Sequence, residues 1–128
     1  MKAVSESSAS RKNIFITTKV WNDAQIEHRQ REAFENSLKL LSTDYIALYL
    51  ILLTIEVCFL GILKVFEKLY EAKLVRAIGV CNFEINHLKE LEKPQSITPM
   101  VNQIEVHTKN IRKELIPYCK NADIICVA

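Results

Sequence analysis

The sequence predicts an α/β fold made of parallel βα repeats, and three observations carry that reading. Short β-branched or aromatic runs alternate five times with longer stretches of helical periodicity. Those runs are continuously apolar, as expected of strands whose two faces are both covered. Their starts recur every ~25 to 30 residues, about the size of one βα unit.

The first run, NIFITTKV from Asn13, reads as a buried strand. A helix is expected from Ile26 to Leu41, where Ile26, Ala33, Phe34, Ser37, Leu38 and Leu41 recur at helical spacing behind Asp23 as N-cap. DYIALYLI follows as the second strand. Leu63, Phe66, Leu69 and Tyr70 then mark the inner face of a helix that carries Lys64, Glu67, Lys68 and Glu71 on its outer face. LVRAIGV is the third strand, and Ile85, Leu88 and Leu91 form a short helix that Pro94 helps to stop. MVNQIEV, directly after Pro99, is the fourth strand. IRKELIPYCK is a helix that Pro117 kinks or shortens, and DIICVA is the fifth strand.

The chain has 128 residues, 49% hydrophobic and 25% charged, which is one domain's worth of ordinary globular composition. Residues 1–12 read as a polar, flexible lead-in and 13–128 as the folded domain. A net charge of +2, with basic residues scattered among acidic ones, argues against nucleic acid as a partner. The four cysteines, Cys58, Cys81, Cys119 and Cys126, lie far apart, as reduced and mostly buried thiols of a cytoplasmic protein do. With Gly61 and Gly79 as the only glycines, no Gly-rich phosphate loop can form. The apolar stretch LYLILLTIEVCFLGIL reads as a strand followed by a helix rather than a membrane span. As a span it would set Glu56 near the bilayer centre, at a cost of ~3 kcal/mol.

Several phrases resemble the aldo-keto reductases, NADPH-dependent oxidoreductases built on a (β/α)8 barrel. FITTKVWN is similar to the family's third barrel strand, and AFENSLKLLSTDYIALYLI to its third helix and fourth strand. FEKLYEAKLVRAIGVCNF is the most specific match; VNQIEVH and LIPYCKNADIICVA resemble the fifth helix and its flanking strands. The likeness runs in order from Asn13 to Ala128. Such a barrel takes ~250 residues, so the resemblance implies a partial TIM barrel, about half of one. The family's first two barrel strands and its last two find no counterpart.

The resemblance implies reduction of a small-molecule carbonyl, with hydride from NADPH and a proton from a tyrosine assisted by a lysine, a histidine and an aspartate. Lys19 matches the lysine; read alone, a lysine at a strand end is equally a solvated charge. The tyrosine and aspartate would precede residue 13, where MKAVSESSAS offers neither, and Leu52 stands where the histidine follows LYLI. Cys81 and Asn82 match the family's Ser-Asn pair, and Gln103 its glutamine; these hold the nicotinamide carboxamide. Asn82 can also be read as a helix cap and Gln103 as a core amide. Trp21 matches a substrate-pocket position, or is plain packing. The family's phosphate-binding basic residues have no match up to Ala128.

Other constellations are weaker. His107, Cys119 and Cys126 lack zinc-site spacing, and no metal is expected. Gln103, Glu105 and His107 alternate on one face of the fourth strand, and His28 sits in a charged, solvated face. Two functional readings stand: a truncated aldo-keto reductase of little or no activity alone, or a non-catalytic module whose open barrel edges self-associate into a homodimer. No membrane partner is expected.

Overall fold

The computed structural model describes residue 6 and residues 8–53, 59–92 and 97–128. Glu56, Cys58, Pro94 and most of the first seven residues lie outside these, and with them the helix stop expected at Pro94. One sheet holds five strands, β1 (Thr17–Val20), β2 (Ile46–Leu52), β3 (Val75–Cys81), β4 (Val101–Gln103) and β5 (Ile125–Val127). Every neighbouring pair is parallel and the spatial order follows the sequence. The helices are α1 (Asn22–Ile26), α2 (Gln30–Leu41), α3 (Phe59–Glu71), α4 (Ile85–Leu91) and α5 (Leu115–Asn121).

A parallel sheet that never reverses its strand order, joined by right-handed crossovers, keeps its helices on one face and curls as a barrel wall does. Counted from the third strand of an eight-stranded barrel, five strands reach the seventh. One strand, not two, is therefore left without a counterpart after them.

The two faces of the sheet bury different things. On the helix side, Val20, Tyr49, Ile51, Ile78 and Val80 pack against Phe34 of α2 and Leu63, Phe66 and Leu69 of α3. The Tyr49 ring lies parallel to Phe66 at 4.5 Å and edge-on to Phe34 at 5.2 Å. Its hydroxyl finds no partner among the described residues, and burial holds its pKa far above the ordinary phenol range. On the inner face, Leu48, Leu50 and Val101 form a second cluster with Ala77 and Met100.

Strand register aligns Lys19, Leu50, Gly79, Val101 and Ile125 in one inner row across all five strands. Gly79 is the tight point of that row. A Cβ there would lie 2.6 Å from the Val101 carbonyl oxygen and 2.7 Å from Leu50 Cδ2, so only a hydrogen fits.

Several expectations need correction. The first strand begins at Thr17, because Arg11–Asn13 form a 3-10 turn. Arg11 donates to the Ile14 and Tyr45 carbonyls at 2.7 and 2.8 Å, and its guanidinium lies over the Tyr45 ring. The helix expected from Ile26 is two helices, broken at His28, whose φ is 55°. Asp23 lies in the first turn of α1 and is not its cap, and Ile26 is 57% exposed. Buried Gln25 and Gln30 take the inward positions instead, with Gln30 Nε2 donating to the Gln25 carbonyl at 3.3 Å.

Glu67, placed on the outer face by its spacing, is buried and accepts the Ile97 backbone N–H at 3.0 Å. The fourth strand stops at Gln103, so Glu105 and His107 are not on it. They form an exposed pair, 3.0 Å apart, in the following loop. The last helix starts at Leu115, after Arg112 at a φ of 48°. Pro117 therefore sits in the first turn, where a helix needs no N–H; it does not kink the helix but marks one that is already short, at seven residues.

The Gly79→Ala substitution is expected to lower stability by about 1–3 kcal/mol, the cost of overpacking a site whose neighbour is backbone. Urea denaturation followed by circular dichroism measures it; an unchanged midpoint would show that the inner row can give way.

Candidate functional site

Parallel strands run out of ladder partners at their C-terminal ends, and the residues that leave the sheet there face one mouth. Lys19 is half-buried on the inner face, paired in register with Leu50. Its ammonium makes no hydrogen bond or ion pair with any described residue. Two residues higher, Leu52, Cys81, Gln103 and Val127 form the next inner row. The Cys81 thiol donates to Gln103 Oε1 at 3.9 Å.

Asn82 follows Cys81 at a φ of 62°, a left-handed conformation that asparagine tolerates better than most residues. Its backbone N–H donates to the Gln103 carbonyl at 2.8 Å, so the exits of β3 and β4 are tied together. The exposed Asn82 carboxamide and Gln103 Nε2 make no hydrogen bond with any described residue. Asn82 is not a helix cap, since Glu84 takes that place in α4 and donates its backbone N–H to His87 Nδ1 at 3.1 Å.

Two buried amides that sequence reasoning missed hold this mouth in shape. Asn102, fully buried on the helix face of β4, donates Nδ2–H to the Phe83 carbonyl at 2.8 Å. Its Oδ1 accepts the Phe83 N–H at 3.4 Å. It thereby clamps the residue that follows Asn82. Gln25 Nε2 donates to the Val20 and Leu52 carbonyls at 3.0 and 3.1 Å, joining the ends of β1 and β2. The available signal was weak: a polar side chain at a position whose phase faces the core.

Lys19, Cys81, Asn82 and Gln103 thus share one mouth, while Trp21 stands at its rim. Trp21 precedes α1 in extended backbone and is 71% exposed. Leu52 occupies the middle of the site, beside Cys81, with its carbonyl taken by Gln25.

A family model described as Aldo/keto reductase family matches residues 1–128. The chain belongs to the aldo/keto reductase family. It is 45% identical over 121 residues to the glyoxal reductase of Bacillus subtilis, covering 94% of this chain and 44% of that protein. An aldo/keto reductase from Brucella melitensis superposes with a TM-score of 0.93 at 39% identity, covering 98% of this chain and 49% of the other. An aldo-keto reductase of Bombyx mori, solved in complex with NADP, superposes at 0.90 with 31% identity, covering 99% and 44%. The chain therefore spans about half the length of the relatives it matches.

Leu52 brings to this mouth a side chain that neither donates a hydrogen bond nor titrates. Among the described residues no helix is long and apolar enough to cross a membrane.

Replacing Asn102 with alanine removes its two hydrogen bonds to the Phe83 backbone and is expected to cost about 1–3 kcal/mol. Hydrogen exchange at the Phe83 amide checks the location of the damage. Exchange no faster than in the unsubstituted chain would mean that Asn102 does not clamp the Asn82 loop.

Proposed function

We propose that this chain is the nicotinamide-holding wall of an NADPH-dependent reductase of small aldehydes and ketones. The observation that carries the reading is the Asn82 carboxamide beside Gln103 Nε2, neither with a partner among the described residues, the two residues being joined through backbone at 2.8 Å. A primary carboxamide has one acceptor and two donor hydrogens, and an asparagine and a glutamine match them in kind. The residues present therefore fit the nicotinamide end of the cofactor. When bound, NADPH supplies the hydride. Cys81 steers Gln103 by holding its Oε1, leaving Nε2 to donate to a ligand carbonyl.

Lys19 brings an uncompensated positive charge to the same mouth, where it would favour ionisation of a phenol and so ease proton donation. That phenol, the aspartate and the adenosine-binding cations have no match in this chain. Leu52 adds no polar group to orient a carbonyl oxygen. Aldehyde reduction by a relative named glyoxal reductase supports the substrate class. Turnover by these residues alone is expected to be negligible, since loss of one member of a catalytic set commonly costs orders of magnitude.

A second reading rests on a different observation. At the open edge, Ile125 and Val127 are 64% and 39% exposed on the inner face, and among the described residues no strand pairs with the other side of β1. Exposed parallel edges of this kind pair with other chains. On this reading the chain is a non-catalytic module that closes on a second copy as a homodimer.

Trp21 gives the first test. Its exposure predicts emission near that of free indole, and NADPH absorbs at that wavelength. A saturable loss of Trp21 emission on NADPH titration, weakened in Gln103→Ala, is the expected result. No response to NADPH, with an intact far-ultraviolet spectrum and a dimer in sedimentation, would favour the second reading. Leu52→His is expected to leave aldehyde reduction undetectable, because the proton donor is still missing; measurable turnover would contradict that account.

A further inference from the structure

Cys119 lies on α5, fully buried, and Cys126 on β5, half-buried at the sheet edge. They are seven positions apart in sequence, and both flank Asn102 on the helix face of the sheet. Asn102 is the link. It is the register partner of Cys126, and its Nδ2–H points at Cys119 Sγ at 3.9 Å. The same Nδ2 donates to the Phe83 carbonyl. One amide therefore touches both the thiol pair and the loop that carries Asn82.

We propose that Cys119 and Cys126 form a modification site, a dithiol that a small disulfide oxidises to an intramolecular bond, and that this oxidation loosens the Asn102 clamp on the Asn82 loop. The chemistry balances with a disulfide RSSR as oxidant. The Cys126 thiol loses its proton and attacks one sulfur of RSSR, breaking that S–S bond and releasing one RSH. The Cys119 thiol then loses its proton, displaces the second thiolate from the mixed disulfide and releases another RSH. Two electrons and two protons leave the protein, and one S–S bond forms.

The order of attack follows from access, since Cys126 is half-buried and Cys119 fully buried. Bond formation draws the two sulfurs to ~2.05 Å apart. The strand that yields is β5, only three residues long. As β5 moves, Cys119 Sγ turns from Asn102 toward Cys126, and the amide loses one of its neighbours. Burial, reinforced by the hydrogen bond with Cys119, pushes the Cys126 thiol up to about 11. Exchange is therefore slow at neutral pH and quickens about tenfold per pH unit below that value.

The proposal does not require cofactor binding, so its failure and that of the proposed function are separable. Trypsin cuts after Lys39, Lys64, Arg76, Lys89, Lys113 and Lys120, placing the four cysteines on four different peptides. The test is to treat the full chain with oxidised glutathione at pH 8.5, block free thiols, digest and identify linked peptides by mass. The expected product joins ELIPYCK to NADIICVA, with Phe83 amide exchange about fivefold faster than in the reduced chain, the loss of roughly one hydrogen bond. In Cys126→Ser the linked peptide disappears and oxidant no longer changes Phe83 exchange. A mixture of linkages among the four cysteines, or glutathione adducts without the linked peptide, would overturn the site. The linked peptide with unchanged Phe83 exchange would overturn the coupling.

Discussion

The close approach of Leu50 and Val101 across Gly79 is the constraint from which the sheet's geometry follows. With no side chain at 79, the inner faces of β2 and β4 meet over β3. Any Cβ would push against the Val101 carbonyl, a ladder group that cannot move without breaking the register. Because parallel register is shared along a row, fixing Leu50, Gly79 and Val101 also fixes the next row of Leu52, Cys81 and Gln103. The site therefore inherits its side-by-side arrangement from a packing requirement one layer beneath it.

Above that layer the ladder ends, and backbone groups at the strand exits must find other partners. Two buried amides meet this need. Gln25 satisfies the carbonyls of Val20 and Leu52, and Asn102 bonds both backbone polar atoms of Phe83. Each bond is worth only about 1 kcal/mol net, but leaving its partners buried and unmet would cost more. Their common location means that the mouth of the half-barrel is held by side chains rather than by sheet pairing. Changes near Asn102, including chemistry at its cysteine neighbours, are transmitted to Asn82 for that reason.

The inner face is chemically uneven. Lys19 contributes an ammonium with no counter-charge among the described residues, Cys81 and Gln103 contribute a weak hydrogen-bonded pair, and Leu52 interrupts them with an apolar side chain. Such a surface can orient an amide-bearing ligand more readily than it can move a proton. The apolar edge at Ile125 and Val127 adds a competing demand, because those side chains are covered only when more chain closes over them.

The amino-acid sequence by itself determined the βα rhythm, the burial of β2 and β3, though not of β1 and β5, and the inner faces of the longer helices. These rest on local periodicity, and Leu63, Phe66 and Leu69 lie where their spacing puts them. It also singled out Lys19, Cys81, Asn82 and Gln103 as candidates, which the strand register brings to one end of the sheet. Tertiary structure alone decided the break at His28, the inward turn of Glu67, the late start of the last helix and the clamps made by Gln25 and Asn102. For Glu67, Gln25 and Asn102 the physical reason is the same. A polar side chain is buried when a particular backbone group awaits it, and that group is 19 residues away for Asn102, 27 for Gln25 and 30 for Glu67. Periodicity registers what a residue prefers; it carries no record of the distant partner that overrides the preference.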